Sequence, residues 1–182
     1  YFPLDFDFGP NDLVWLIFQK HDDPYENVSS GGIKILNTNN SLDNKYDDEW
    51  YQLAYPDTLP GGLNKDIFSL VFSKTEGQNV LWVMGVEGVQ GYLVNSNNLT
   101  AIYPQNFYGN LGFIKGDQLK VDPQNNIWII TQHSGIRVIK PNTERWPSES
   151  GFTIDNSSLL SNIIYDIVFD EIVGCAYIAT NK

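Results

Sequence analysis

Leu119-Lys120-Val121-Asp122-Pro123-Gln124-Asn125-Asn126-Ile127-Trp128-Ile129-Ile130-Thr131 has the form of a β-hairpin. An alternating run ends at Asp122. A Pro/Asn-rich turn follows, since proline presets φ and asparagine bonds its own backbone. An apolar, β-favouring run centred on Trp128 then reads as the returning strand. Ser134-Gly135-Ile136-Arg137-Val138-Ile139-Lys140 adds a glycine turn and a third strand.

Working outward, the same order recurs three times. Ile167-Val168-Phe169-Asp170 leads through Glu171–Gly174 into Cys175-Ala176-Tyr177-Ile178-Ala179-Thr180. Ser69-Leu70-Val71-Phe72-Ser73 leads through Glu76-Gly77-Gln78-Asn79 into Val80-Leu81-Trp82-Val83-Met84. Leu4-Asp5-Phe6-Asp7-Phe8 leads through Gly9-Pro10-Asn11-Asp12 into Leu13-Val14-Trp15-Leu16-Ile17. The aromatic anchors Trp15, Trp82, Trp128 and Tyr177 are 67, 46 and 49 residues apart. Independently of tryptophan, Leu63–Ser73 aligns without gaps on Leu160–Asp170, an offset of 97 residues, close to two periods.

A period of about 45–50 residues fits one four-stranded blade of a β-propeller. The fold class is therefore all-β, a partial propeller of about three and a half antiparallel blades. Blade 1 covers about 1–60, blade 2 about 63–110, blade 3 about 112–156, and blade 4 starts near 160. Strands are expected near 3–8, 13–18, 32–36 and 50–55; 66–73, 79–84, 90–95 and 99–103; 117–122, 126–131, 135–140 and 150–154; and 163–169 and 175–179. The long first interval is assigned to two polar loops, His21 to Ser30 and Asn37 to Glu49, dense in Asp, Asn and Ser.

A hairpin at 175–179 with no third strand beside it presents free backbone groups and an apolar face. The chain reads as a segment of a longer propeller or as one held by neighbouring chains. Cover over this strand is expected, from Phe2–Phe8, a second molecule or further chain, with an oligomeric or poorly soluble product. A small four-bladed ring closed by a swapped strand is the alternative.

Lys+Arg total 11 against Asp+Glu 22, a net charge of −11. Such a surface disfavours nucleic acid and anionic lipid. No apolar run approaches the roughly 18 residues of a membrane-spanning helix. The single cysteine, Cys175, excludes an intrachain disulfide. Its apolar run predicts a buried, unreactive thiol.

Candidate chemistry is sparse. His21 and His133 fall in expected loops, and no G-x-S-x-G elbow accompanies them. Asp22-Asp23 and Asp47-Asp48-Glu49 offer oxygen ligands but lack calcium-loop spacing. No catalytic, cofactor-binding or metal-binding residue is assigned, no cofactor is expected, and the ligand-binding residues stay unassigned. Trp50-Tyr51, Tyr55, Tyr103, Phe107-Tyr108 and Trp146 fall in outer strands or long connections. There they either present rings to a sugar or a protein partner, or pack beneath loops.

Asp122-Pro123-Gln124-Asn125-Asn126-Ile127-Trp128-Ile129-Ile130-Thr131 and Gly135-Ile136 resemble the two-component-regulator propeller repeat, roughly D-x-x-G-x-ϕ-W-ϕ-G-T-x-x-G-ϕ with ϕ apolar. Leu160–Asp170 with Ala176–Lys182 resembles the variant common in Bacteroidetes, closest to the PorZ-type propeller of the type IX secretion system. Asn126 stands for the repeat's turn glycine. Ile130, Met84 and Ile17 replace the small residue after the tryptophan strand, and blade 1 lacks the strand-end Thr. The resemblance implies structural roles: the aromatic packs between blades, the Asp binds turn amides, and the glycine before the third strand takes positive φ. It also implies a non-catalytic extracytoplasmic binding or scaffold module, at the periplasm or cell surface. That module would be a sensor ectodomain or a secretion-associated surface protein. Its partners would be the remainder of the propeller or a neighbouring chain, and a glycan, lipopolysaccharide or secretion-complex protein, with neither nucleic acid nor direct membrane insertion. The alternative is a propeller-type polysaccharide lyase or glycoside hydrolase.

Overall fold

The structure, a computed structural model, describes residues 2–23, 28–41, 43–54, 59–61, 63, 66–95 and 98–182. Three four-stranded antiparallel sheets and one two-stranded sheet follow each other along the chain. Blade 1 holds β1 (Pro3–Phe8), β2 (Val14–Asp23), β3 (Val28–Asn37) and β4 (Glu49–Ala54). Blade 2 holds β5 (Ile67–Thr75), β6 (Gln78–Gly85), β7 (Gly88–Asn95) and β8 (Asn98–Ala101). Blade 3 holds β9 (Gln118–Val121), β10 (Ile127–Ile130), β11 (Ile136–Ile139) and β12 (Arg145–Trp146). Blade 4 holds β13 (Ile164–Asp170) and β14 (Cys175–Thr180). Each sheet keeps sequence order, so every connection joins neighbours. This is the partial β-propeller that the repeat predicts.

Pairing puts the four anchors at one position. Trp15 faces Asp7, Trp82 faces Val71, Trp128 faces Lys120 and Tyr177 faces Val168. All lie on the second strand of their sheet. Each of the first three points toward the next blade. Trp15 meets Phe72 edge-on at 5.1 Å, and Trp128 meets Phe169 at 5.2 Å. Phe72 and Phe169 are related by the 97-residue offset, so the repeat conserves a contact between blades as well as a strand. In blade 3 the matching residue is Val121, packed in the same core cluster as Trp82. There the missing ring is supplied within blade 2, where Tyr103 stacks on Trp82 at 5.4 Å and Phe107 tilts against it at 5.8 Å.

Inner strands are joined by polar side chains. Leu119 N–H donates to Ser69 Oγ (2.9 Å), and Ser69 Oγ–H donates to Asp5 Oδ2 (2.6 Å), a relay crossing three blades. Leu70 N–H also donates to Asp5 Oδ2 at 3.0 Å, and Phe72 N–H to Asp7 Oδ2 at 2.7 Å. Desolvation raises the Asp5 carboxyl above its ordinary value of 3.8, partly offset by these donors.

Several expectations are corrected. Residues 21–23 and 28–30 are strand rather than loop: β2 and β3 extend through His21↔Ser30, Asp22↔Ser29 and Asp23↔Val28 as a ribbon. Strand pairing there needs only backbone groups, so polar side chains do not prevent it. The fourth strand of blade 3 is Arg145–Trp146 rather than 150–154. Pro147 has no N–H for the ladder, and contact resumes only at Phe152 opposite Ile136. In the 122–126 turn Asn125 takes the left-handed conformation (φ 63°). Asn126 instead donates its N–H and its side-chain amide to Asp122. The expected positive φ is present at both glycines, but only Gly135 precedes its third strand; Gly32 lies inside β3, where its register with β2 shifts.

Among the described residues nothing covers 175–179, and Cys175 is exposed rather than buried. The reason is register. Cys175 lies two residues from Tyr177 and shares its face, the face that blades 1–3 bury against a following blade. Trp82 is 2% exposed there and Tyr177 60%. Ile178, facing backward, packs on the cluster around Ile130 and Ile136.

Candidate functional site

Two places gather residues that sequence reading singled out. The first surrounds the turn between β10 and β11. Asp117 is buried; its Oδ1 accepts Gln132 N–H (2.9 Å) and its Oδ2 accepts Ile114 N–H (3.0 Å). His133 Nδ1 lies 3.9 Å from Asp117 Oδ2, and its Nε2 lies 3.4 Å from the Leu111 carbonyl. Both Asp117 oxygens are thus committed to backbone amides, and the residue holds the loop in shape. Arg137 behaves similarly: it is buried and donates through Nη1 to the carbonyls of Ser134 (2.7 Å) and Ile136 (3.4 Å). Burial lowers its pKa. At the equivalent register, Gln90 donates to the Tyr103 carbonyl at 3.1 Å. Gln90 thereby ties the third strand to the chain outside it, whereas Arg137 braces its own strand and the turn before it, with its buried Nε unpartnered.

The second place is on the outer edge of blade 1. A groove of about 670 Å³ is lined by residues that include Leu13, Ile35, Asn37, Trp50, Tyr51 and Gln52. Trp50 and Tyr51 are exposed. Trp50 is fixed edge-on against Phe18 at 6.3 Å, and the Tyr51 hydroxyl donates to Glu49. That acceptor, with some burial, raises the Tyr51 pKa. Asn37 is braced in an asparagine turn, its Oδ1 accepting Asn39 N–H at 3.0 Å. The segment 37–49 carries further asparagine-built turns, such as Asn39 Nδ2 donating to the Asp47 carbonyl at 2.5 Å. Trp50 and Tyr51 are consecutive on β4, so their rings point to opposite faces of the sheet, Trp50 toward Phe18 and Tyr51 toward Glu49. The Tyr51 face thus sets one exposed ring beside amide and carboxylate groups, the chemistry that stacks on a sugar ring and bonds its hydroxyls.

The remaining candidates divide. Phe107 and Tyr108 are buried, which selects packing beneath the connections over presenting rings to a ligand. Burial pushes the Tyr108 hydroxyl up to about 12, and Arg145 lies over its ring at 5.1 Å. Tyr103 packs on Trp82, and Trp146 is exposed at its edge but packs on Phe152 at 4.9 Å. Tyr55 lies outside the described residues. His21, Asp22 and Asp23 sit on the β2–β3 ribbon, far along the chain from His133. Among the described residues, no three His, Cys, Asp or Glu side chains gather as a metal site, and no helix is long and apolar enough to cross a membrane.

Sequence reading missed the pairing of Phe107 with Phe152. Phe107 bridges Val89 and Phe152 bridges Ile136, at matching register, and each packs on its blade's tryptophan. The signal was present: Phe107 follows Trp82 by 25 residues, and Phe152 follows Trp128 by 24. Irregular connections hid it from an argument based on regular strands.

No protein-family model and no curated protein matches the chain. Among solved structures it is similar to a crystal structure of a candidate gluconolactonase, with a TM-score of 0.61 and 14% identity. The match covers 98% of this chain and 55% of that one, so this chain spans about half its length. At that identity the likeness concerns fold alone, and it agrees with the blade-by-blade geometry in making this chain a partial β-propeller.

Proposed function

We propose that the chain serves as a non-catalytic propeller module that binds a glycan along the Trp50–Tyr51 groove. The observation that carries this reading is the exposed Tyr51 ring beside Asn37 and Glu49 on an outer strand edge, with a second exposed ring, Trp50, on the other face of that edge. Rings that serve only packing in this fold, such as Trp82 and Phe107, are buried against other rings. The resemblance to the two-component-regulator repeat supports an extracytoplasmic setting, periplasmic or at the cell surface. It also supports a scaffold role toward further propeller blades or secretion-complex proteins. The enzyme alternative, a lyase or glycoside hydrolase, needs carboxylates free to meet substrate. Asp117, the buried carboxylate beside His133, has both oxygens engaged by backbone amides.

Titration of the chain with bacterial polysaccharides, including lipopolysaccharide O-chains, followed by tryptophan fluorescence and calorimetry, tests the reading. Trp50→Ala and Tyr51→Ala should each weaken binding at least tenfold while leaving the unfolding midpoint in place. Binding that ignores both substitutions, or the appearance of new reducing ends in the polysaccharide, would overturn it.

A further inference from the structure

Phe8, Phe72, Val121 and Phe169 each pair with the residue before an anchor aromatic, so the residues that follow them are equivalent: Gly9, Ser73, Asp122 and Asp170. Three of these carry a polar side chain that closes its own hairpin. Ser73 and Asp122 accept the indole N–H of Trp82 (3.0 Å) and Trp128 (2.8 Å), and Asp170 Oδ1 accepts the amides of Ile172 and Val173. Blade 1 has Gly9 instead, and Trp15 Nε1, in a residue only 2% exposed, finds no acceptor. A Cβ at Gly9 would collide with that nitrogen, so this position cannot supply one.

The next residue repeats the contrast. Lys74 N–H donates to Asn125 Oδ1 at 2.9 Å and ties the end of the blade 2 hairpin to the turn of blade 3. At the equivalent place blade 1 has Pro10, which has no N–H to give. Asn79 stands three residues before Trp82, as Asn125 does before Trp128, and its side chain has no hydrogen-bond partner among the described residues. The junction of blades 1 and 2 thus lacks both polar closures. In their place is a groove of about 490 Å³, lined by residues that include Gly9, Pro10, Asn11, Phe72, Lys74 and Asn79. Its walls are consecutive blades, already joined by Phe72 N–H to Asp7 Oδ2 and by the Trp15–Phe72 ring contact.

Register sets the polar groups. Lys74 lies two residues beyond Phe72 on β5, and Asn79 pairs with Lys74, so these side chains share the face that meets Trp15. Among the described residues Lys74 makes no ion pair, and the Asn11 side chain makes no hydrogen bond. The Asp7 carboxylate is committed to backbone amides, Oδ1 to Phe8 N–H and Oδ2 to Phe72 N–H. We propose that this groove binds a sugar carboxylate, a uronate residue of a glycan. Lys74 pairs with the carboxylate, the Asn11 and Asn79 amides bond ring hydroxyls, and Phe72 with Pro10 gives the apolar contact for a pyranose face. One unpaired ammonium matches one negative charge. A phosphate dianion would carry excess charge into a chain of net charge −11. The site is separate from the Tyr51 groove on β4, and does not rest on that reading.

The test is calorimetry with an oligogalacturonate at fixed ionic strength, with a neutral oligosaccharide of the same length and inorganic phosphate as the other two probes. The uronate should bind, and the other two should not bind at the same concentrations. Lys74→Gln should weaken uronate binding by about tenfold or more, and Asn79→Ala by about threefold or more. Both residues are exposed, so the urea midpoint should stay unchanged. The Lys74 backbone N–H, which holds Asn125, survives its substitution. Four results would overturn the inference: no uronate binding at about millimolar concentration; binding indifferent to both substitutions; phosphate or the neutral sugar binding as tightly as the uronate; or a loss confined to Trp50→Ala or Tyr51→Ala. The last would move the uronate to the blade 1 edge and leave the reading of that edge intact.

Discussion

Trp82 and Tyr177 occupy the same register position on the same strand of their blades, one enclosed by rings and the other open to solvent. Their local sequences are alike: an aromatic inside an apolar, β-favouring run after a turn. What separates them is the neighbour in front. Trp82 has Tyr103, Phe107 and blade 3 against it, whereas nothing among the described residues stacks on Tyr177. Strand formation in this repeat is thus a property of the blade, and burial is a property of the pair of blades. Fully burying a ring of this size is worth on the order of 3 kcal/mol, so interior blades hold most of the stability.

The largest expected effect follows directly. Trp82→Ala should destabilise the chain by about 3–5 kcal/mol, as for other buried aromatics. Tyr177→Ala should change the monomer by less than about 0.5 kcal/mol, as for surface sites. Urea unfolding of dilute protein checks both; a comparable loss at the two positions would break the comparison.

A second contrast, between two turns, sharpens it. In blade 3, Asp122 accepts four hydrogen bonds, from Gln124 N, Asn126 N, Asn126 Nδ2 and Trp128 Nε1. In blade 2 the equivalent Ser73 accepts Trp82 Nε1–H at 3.0 Å. In blade 1 the equivalent residue is Gly9, and the buried Trp15 Nε1 has no hydrogen-bond partner. A Cβ at Gly9 would collide with that indole nitrogen and lie 2.8 Å from the Phe72 ring. Asp122→Ala should cost about 1–3 kcal/mol by leaving turn donors unpaired. Gly9→Ser, although it restores the residue found in blade 2, should also destabilise by about 1–3 kcal/mol through overpacking. A stabilising Gly9→Ser, measured by thermal unfolding, would show that blade 1 can relax to the common pattern.

The smallest effect concerns the inner strands. The Asp5 carboxyl, raised mainly by desolvation, is a net liability when ionised. The folded state binds its proton more tightly than the unfolded chain does. The group's favourable contribution is therefore present below 3.8 and is lost as pH rises through the higher folded value. Asp5→Asn keeps an oxygen for the Ser69 hydroxyl and Leu70 N–H while removing the charge. Its stability relative to the parent should rise with pH across that window and then level off, within about 1 kcal/mol at neutral pH. A flat difference across the window, from urea midpoints at several pH values, would assign the Asp5 shift to something other than burial.

Much of the fold was legible because its signals are local. A tryptophan in an apolar run, an Asp before a turn and a glycine before a third strand each act through nearby backbone, so their spacing survives in sequence. The roles of Asp122 and of Gly135 are readable for that reason. The aromatic groove was legible only in part. Trp50 and Tyr51 stood out by composition, but sequence could not separate them from Phe107 and Tyr108, which share the same character and are buried.

The sequence by itself determined four strand–turn–strand units, their period and the anchor position in each, since hydrophobic alternation and turn chemistry depend on residues a few positions apart. Only the tertiary structure decided which anchors are enclosed, that Cys175 faces outward, and that Phe107 and Phe152 close their blades from irregular connections. The physical reason is that burial depends on what lies across a gap between sheets, set by residues about 50 or more positions away, and a strand's own pattern looks the same whether or not that gap is filled.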